Sequence, residues 1–316
     1  MSNRFTGPTL TFILVFLLTG CQSVNDLQPQ PDPLPTSVVE ILEKEFPGYQ
    51  EITVSPLEKD RVWNARLRVD TSQYDVVLNR TKILSKYQLA GNQVPVVFAK
   101  GIESLSFNGG TFSDFRRAPD YNIDFRTWDF SASYTWNNQD YLMRWQRSYY
   151  GPPSRYDIYL YPDTETVYRT TNLDDLSDSI QEIIKAKMLA VNNPQYTEDQ
   201  EFRAAFVYID KNKKKLYEAI LSFSNLIVDD KGKILYYFPI NLENSIPLAN
   251  LPEPIRTYLQ QDTEITKYSK FFSDRYAENG NEVYRIFSFQ NNQSRTLYID
   301  KNGVVLWHYY MAYPEF

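Results

Sequence analysis

Two segments of the chain read almost alike: LIVDDKGKILYYF at 226–238 and LYIDKNGVVLWHY at 297–309. Each runs through apolar residues to an aspartate, turns, and returns through apolar or aromatic residues. The turn glycines, Gly232 and Gly303, stand about 71 positions apart, so internal repetition is the first constraint on any fold for this chain. The physical content of each segment is a hairpin. An Asp and a Gly near the tip suit turn geometry, because Gly accepts a positive φ at no steric cost.

Upstream of these hairpins the apolar period changes. LPTSVVEILEKEFPG (34–48) and LPEPIRTYLQQD (251–262) both open Leu-Pro, and Pro is tolerated in a first helical turn. Val38, Val39, Leu42 and Phe46 form one helical stripe; Ile255, Tyr258 and Leu259 form another. VPVVFAKGIES (94–104) is a third helical segment. The fourth, LDDLSDSIQEIIKAKMLAV (173–191), gathers Leu176, Ile180, Ile183, Ile184 and Val191 on one face, with acidic residues in its first turn where the helix dipole favours them. Between the helices the period is two. Trp63, Ala65, Leu67 and Val69 alternate with polar residues, as do Phe130, Ala132, Tyr134 and Trp136, then Phe202, Ala204, Phe206 and Tyr208, and later Val283, Arg285, Phe287 and Phe289. Such alternation reads as strands with one covered face.

The expectation is therefore an α+β chain of tandem repeats, each one helix packed on a four-stranded antiparallel meander. The units run 34–91, 92–172, 173–247 and 248–316, after a leader at 1–20 and a Pro-rich tether at 21–33. Each unit is near the size at which a lone core is marginal, so neighbours are expected to pack together.

The first unit, with Phe46-Pro47-Gly48-Tyr49 and the Tyr74–Leu84 hairpin, resembles the PepSY-like domains related to β-lactamase-inhibitor proteins. The last unit is similar through its Leu-Pro helix and its Asp300-Lys301-Asn302-Gly303 turn. The middle units lack the Phe-Pro-Gly element, and the second carries a long aromatic segment foreign to the pattern. The resemblance implies the helix-plus-four-strand repeat, an envelope location, and a non-enzymatic protein that binds or inhibits another protein. It supplies no contact residue.

Cys21 is the single cysteine, so no internal disulfide and no cysteine zinc or redox motif can form. It follows Arg4, the apolar run Leu10–Leu18, and Thr19-Gly20. That run is too short to span a bilayer but has the layout of a secretory signal. Leu18-Thr19-Gly20-Cys21 resembles the lipobox of bacterial lipoproteins, which implies cleavage before Cys21 and acyl chains on it. Several buried chains at ~0.8 kcal/mol per CH₂ make a stable anchor. Gln22 in place of an aspartate points to the outer membrane, with its face left open. Pro29, Pro31, Pro33 and Pro35 favour an extended spacer, about 3 Å per residue.

Without Arg4 the net charge of −6 becomes about −7, which argues against nucleic-acid binding. The run Lys211–Lys215 sits between alternating segments and reads as a solvated hairpin turn. His308, the only histidine, lies in an alternating terminal strand, where a partly covered strand position is the simpler reading than a triad or zinc site. No phosphate loop or dinucleotide fingerprint occurs, and no cofactor or metal is expected.

The unusual stretch is FRRAPDYNIDFRTWDFSASYTWNNQDYLMRWQRSYYGPP (115–153), dense in Trp, Tyr and Arg, the types enriched at binding hot spots. Phe130, Tyr134 and Trp136 alternate as core-facing residues would. The candidate partner-binding set is Trp128, Trp145, Tyr149 and Tyr150, with Arg126 and Arg144, and also Arg116 and Arg117, at the rim. Three functions follow as expectations. The first is a non-enzymatic envelope lipoprotein binding a protein or peptide. The second is a carbohydrate-binding lipoprotein of a glycan-uptake system, using the same aromatics. The third is a hydrolase carrying no recognised motif; a purely structural envelope role stands beside them.

Overall fold

The computed structural model describes residues 34–118, 128–147, 156–189, 200–239 and 246–314. The chain runs α1 (Thr36–Glu45), β1 (Gln50–Glu58), β2 (Val62–Val69), β3 (Ser72–Asn79), β4 (Ile83–Leu89), α2 (Val96–Lys100), β5 (Thr111–Arg117), β6 (Trp128–Trp136), β7 (Gln139–Arg147), β8 (Tyr156–Pro162) and β9 (Thr164–Thr170). A 3-10 turn at Leu173–Asp175 leads to α3 (Asp178–Leu189), β10 (Phe202–Asp210), β11 (Lys215–Leu221), β12 (Ser224–Asp229) and β13 (Ile234–Pro239). The chain ends with α4 (Glu253–Gln261), β14 (Lys270–Glu278), β15 (Asn281–Gln290), β16 (Gln293–Asp300) and β17 (Val305–Ala312).

The helices fall inside the four segments of helical period, but they are short. Pro35, Pro95 and Pro252 immediately precede α1, α2 and α4, where a missing N–H costs nothing. Before α3 the acidic turn is a separate 3-10 element, and the Asn172 side chain accepts the Asp174 N–H. The Asp turns are alike in detail. Asp210, Asp229 and Asp300 each accept two backbone N–H groups of their own turn through Oδ1. Gly303 adopts φ +83°, and a Cβ there would press on the Pro254 carbonyl of α4. Gly232 lies equally close beneath Ile183 of α3.

The sheet topology corrects the expected α+β architecture. The molecule is mostly β, and its strands do not form separate four-stranded meanders each carrying a helix. Twelve strands make one antiparallel sheet, in the order β1-β2-β3-β4-β5-β6-β7-β8-β17-β16-β15-β14; five make a second, β13-β12-β11-β10-β9. The physical reason is edge pairing. A meander leaves two unpaired edges, and here they join: β4 to β5 through Gln88↔Arg117 and Leu89↔Arg116, and β8 to β17 through Leu160↔Tyr310 and its neighbours.

Three helices cover the outer face of the large sheet. From α1, Val38 and Leu42 are fully buried, and Phe46 at its C-terminal end meets the Tyr74 ring at a tilt, 5.1 Å between centroids. Phe98 of α2 joins Phe115, Tyr134, Trp145 and Tyr310, and Ile255 of α4 joins Tyr284, Ile286 and Leu297. Each such apolar side chain is worth about 1.5–3 kcal/mol of burial. The inner face of the large sheet curls around the small one. Tyr87, Leu142, Tyr161, Tyr298 and Trp307 meet Phe206, Tyr208, Ile227 and Tyr236 on one side. At the other end Val62 and Val77 pack with Val207, Ile209 and Tyr217 on the opposite side, which they share with Ile180 and Ile184 of α3.

Both edge strands of the large sheet are fastened by a terminal glutamate. Glu58, the last residue of β1, accepts the Tyr217 hydroxyl at 2.6 Å and pairs with Lys215 at 2.9 Å. Glu278, the last of β14, pairs with Lys187 of α3 at 2.6 Å and accepts the Tyr276 hydroxyl. Those two donors hold the Glu278 carboxyl below its ordinary pKa. No helix among the described residues is long and apolar enough to cross a membrane.

Candidate functional site

The residues singled out by the aromatic stretch do not assemble into a surface. Trp145 is fully buried, 5.5 Å from Phe98 and opposite Phe130 in the β6–β7 ladder. Arg144, its neighbour, points to the other face and is 2% exposed. Its Nη2 donates to the Tyr87 hydroxyl at 2.6 Å, and burial lowers its pKa. Both side chains serve the interior. Trp128 opens β6 opposite Gln146. Arg126, Tyr149, Tyr150 and Cys21 lie outside the described residues. His308 is a half-buried strand residue beside Tyr310. The lysine run is the β10–β11 turn, and its members pair with carboxylates of other strands: Lys211 with Asp140, Lys213 with Glu165 and Lys215 with Glu58.

What the structure does assemble is a crevice where the large sheet bends round β9. β9 lies against β4 and β7, close to the joint between β4 and β5, where a short ladder continues in the backbone bonds of Ala90 and Gly91 with Phe115. The outer part of the crevice has a volume of about 240 Å³. Ser55 and Leu57 of β1, Asn64 and Arg66 of β2, Asp75 of β3, Arg116 of β5, Glu165 and Thr166 of β9, and Lys213 of the lysine turn line it. A smaller pocket of about 20 Å³, room for one water, shares Asp75, Arg116, Glu165 and Thr166 with it and is also bounded by Tyr87, Ser131, Leu142 and Arg144.

The floor is an ion cluster. Arg116 Nη1 lies 3.1 Å from Asp75 Oδ2, with the side chains 12% and 8% exposed. Asn64 donates to the other Asp75 oxygen at 2.6 Å. Arg66 reaches the same carboxylate at 3.8 Å from the rim, where it is 57% exposed. Lys213 and Glu165 pair at 2.7 Å across the mouth. Three cations thus face two carboxylates, with Arg144 a further cation behind, in a chain whose net charge is −6. Low local dielectric makes that imbalance felt more strongly than on an open surface.

A second cavity, about 530 Å³, lies between the β1–β2 and β3–β4 turns on one side and the 3-10 turn and start of α3 on the other. Its charges are engaged in holding the fold. Arg61 donates to the Asp174 and Leu176 carbonyls and to Asp178, and Arg80 to the Asp60 carbonyl. Buried Asp175 accepts Asn79 Nδ2 and the Thr170 hydroxyl. Among the described residues no group of three or more His, Cys, Asp or Glu is arranged to hold a metal.

Arg116 was legible as a rim candidate; Asp75, Arg66, Glu165 and Lys213 were not. For Arg66 the sequence signal is a polar residue at every second position of an otherwise apolar strand, as in Asn64-Ala65-Arg66-Leu67, and Lys213 lies in the lysine run. In ordinary antiparallel sheets such alternation marks the solvent face.

Compared with known protein families and with curated proteins, the chain matches none of them.

Proposed function

We propose that the protein is a non-enzymatic, lipid-anchored binding protein of the bacterial envelope that captures a protein or peptide partner. One observation carries the capture reading: an open, positively charged crevice lies directly beside β1, the free edge of a twelve-stranded sheet. Open edges present unpaired backbone groups, and proteins that bind peptides use them as templates while adjacent pockets select side chains. The anchor rests on Cys21 and the lipobox-like residues before it. The aromatic candidates expected to serve a protein partner or a glycan alike include Trp145, which is in the core, so the capture reading rests on the crevice and not on them.

The test is capture from native envelopes by crosslinking, with a tag at the C-terminus, comparing the native protein with a Lys213→Glu variant. One dominant partner, reduced in the variant, supports the reading; background alone overturns it. Labelled palmitate should enter the native protein and not a Cys21→Ser variant, and label in neither overturns the anchor.

A further inference from the structure

We infer that the crevice receives an acidic side chain of an extended peptide that adds to β1 as an outer strand. The inference rests on the capture reading above and names its ligand chemistry.

β1 is the large-sheet edge left open among the described residues. The opposite edge, β14, is covered where the Ile246 N–H donates to the Ser273 carbonyl and the Ser273 hydroxyl returns a bond. In the small sheet, β9 lies against β4 and β7, and β13 against β14 and β15. Along β1, Thr53, Ser55 and Pro56 are exposed. Pairing with β2 is regular from Thr53↔Arg66 to Pro56↔Trp63 and irregular on both sides. The template is therefore short. Bulges at both ends and the missing N–H of Pro56 discourage indefinite edge-to-edge growth while leaving a few residues for one guest strand.

Charge selects the guest. Thr53 lies opposite Arg66, and Ser55, one position along the same face, lines the crevice. A guest residue level with Thr53 would stand two strand spacings from Arg66, roughly 10 Å between backbones, a gap that an arginine and a glutamate side chain close between them. The Asp75 carboxylate is already shared by Arg116 and Asn64 at shorter range, so Arg66 at 3.8 Å is the least neutralised cation of the cluster. Lys213, 70% exposed, stands at the other side of the mouth. A guest carboxylate brings the crevice to charge balance; a guest lysine adds a fourth cation.

The experiment is selection of random dodecapeptides displayed on phage against the full chain, followed by affinity measurement and hydrogen exchange on the selected peptides. Enriched sequences should carry Asp or Glu among β-branched residues at alternate positions. Arg66→Glu and Lys213→Glu, both at exposed positions, should each weaken binding about tenfold and reverse its salt dependence. Bound peptide should slow exchange of the amides at 53–55. Binders that survive both charge reversals, or that protect amides elsewhere, overturn this inference and leave the capture reading standing. No binders at all, with a partner still recovered from envelopes, also overturns it; if the envelope capture is empty too, the capture reading falls with it.

Discussion

His308 makes the fold sensitive to acid in a way that can be isolated. The side chain sits half-buried on β17, opposite fully buried Leu297 and edge-on to Tyr310 at 5.8 Å. Loss of hydration, reinforced by the Arg295 guanidinium and opposed by Asp262, lowers its pKa to about 3. An unfolded histidine titrates near ~6.5. The folded value is the lower one, so the unfolded chain binds the proton first as pH falls. Stability is then complete above about pH 6.5 and is lost progressively between that point and about pH 3. From pH 7.5 to 5.0 the linkage amounts to about 2 kcal/mol. Carboxylates titrate in the same window, so the quantity to measure is a difference. Urea unfolding of native protein and of His308→Gln, each at pH 7.5, 6.0 and 5.0, should show the native protein losing about 2 kcal/mol more than the variant. Parallel curves, within about 0.5 kcal/mol, would refute the account of a histidine kept neutral by its surroundings.

Three further perturbations address the interior. Gly110→Ala places a Cβ into the Tyr134 ring and the Thr135 carbonyl, displacing a tyrosine whose hydroxyl accepts the Gly110 N–H at 2.8 Å and donates to the Phe107 carbonyl at 2.7 Å. A loss of about 2–3 kcal/mol in denaturant unfolding is expected. Asp175→Ala strips Asn79 and Thr170 of their shared buried acceptor and should cost about 2–4 kcal/mol, visible also as faster hydrogen exchange in the β3–β4 turn. Trp145→Ala should cost about 3–5 kcal/mol as a core cavity, with any loss of partner capture tracking the unfolded fraction; Trp145→Phe, which keeps most of the volume, should restore both.

Local period was informative and long-range pairing was not. The stripes Val38-Leu42-Phe46 and Ile180-Ile184 announce helices, and Asp300–Gly303 announces its turn. The fused sheet depends on Leu160 meeting Tyr310 and Arg117 meeting Gln88, contacts between distant residues with no local signature. The position of Trp145, by contrast, was recoverable. Asn137 and Asn138 take positive φ and form a two-residue turn, so Phe130 lies opposite Trp145. Any even-length turn there puts Trp145 on the face of Phe130 and Tyr134, inside, and Arg144 on the other. Arg144 then looks solvent-facing by alternation alone. It is buried because the large sheet is covered on both sides, with apolar helices outside and a Tyr- and Arg-rich contact with the small sheet inside.

That inner contact also explains why the crevice is where it is. From Leu142 through Tyr161, Tyr208 and Trp307 to Tyr236 the two sheets close on aromatic rings. At the bend the filling becomes Asp75, Arg116 and Arg66, and the sheets stand apart. A largely buried ion pair is a weak source of stability, since desolvation offsets most of its attraction. Charge at this position then has two explanations, the ligand proposed above or a requirement of the fold. The two explanations separate in a double substitution. Asp75→Leu alone should cost about 3 kcal/mol, because it leaves Arg116 without its carboxylate and Asn64 without its acceptor. Adding Arg116→Met should recover most of that, ending within about 1 kcal/mol of the native protein in urea unfolding. If the crevice is a binding site, the stable double variant, which keeps Arg66, Lys213 and the same charge balance, still holds acidic peptides, and adding Arg66→Glu abolishes that binding. If the double variant stays as unstable as Asp75→Leu, the pair is there for the fold, and the charge argument for a ligand loses its footing.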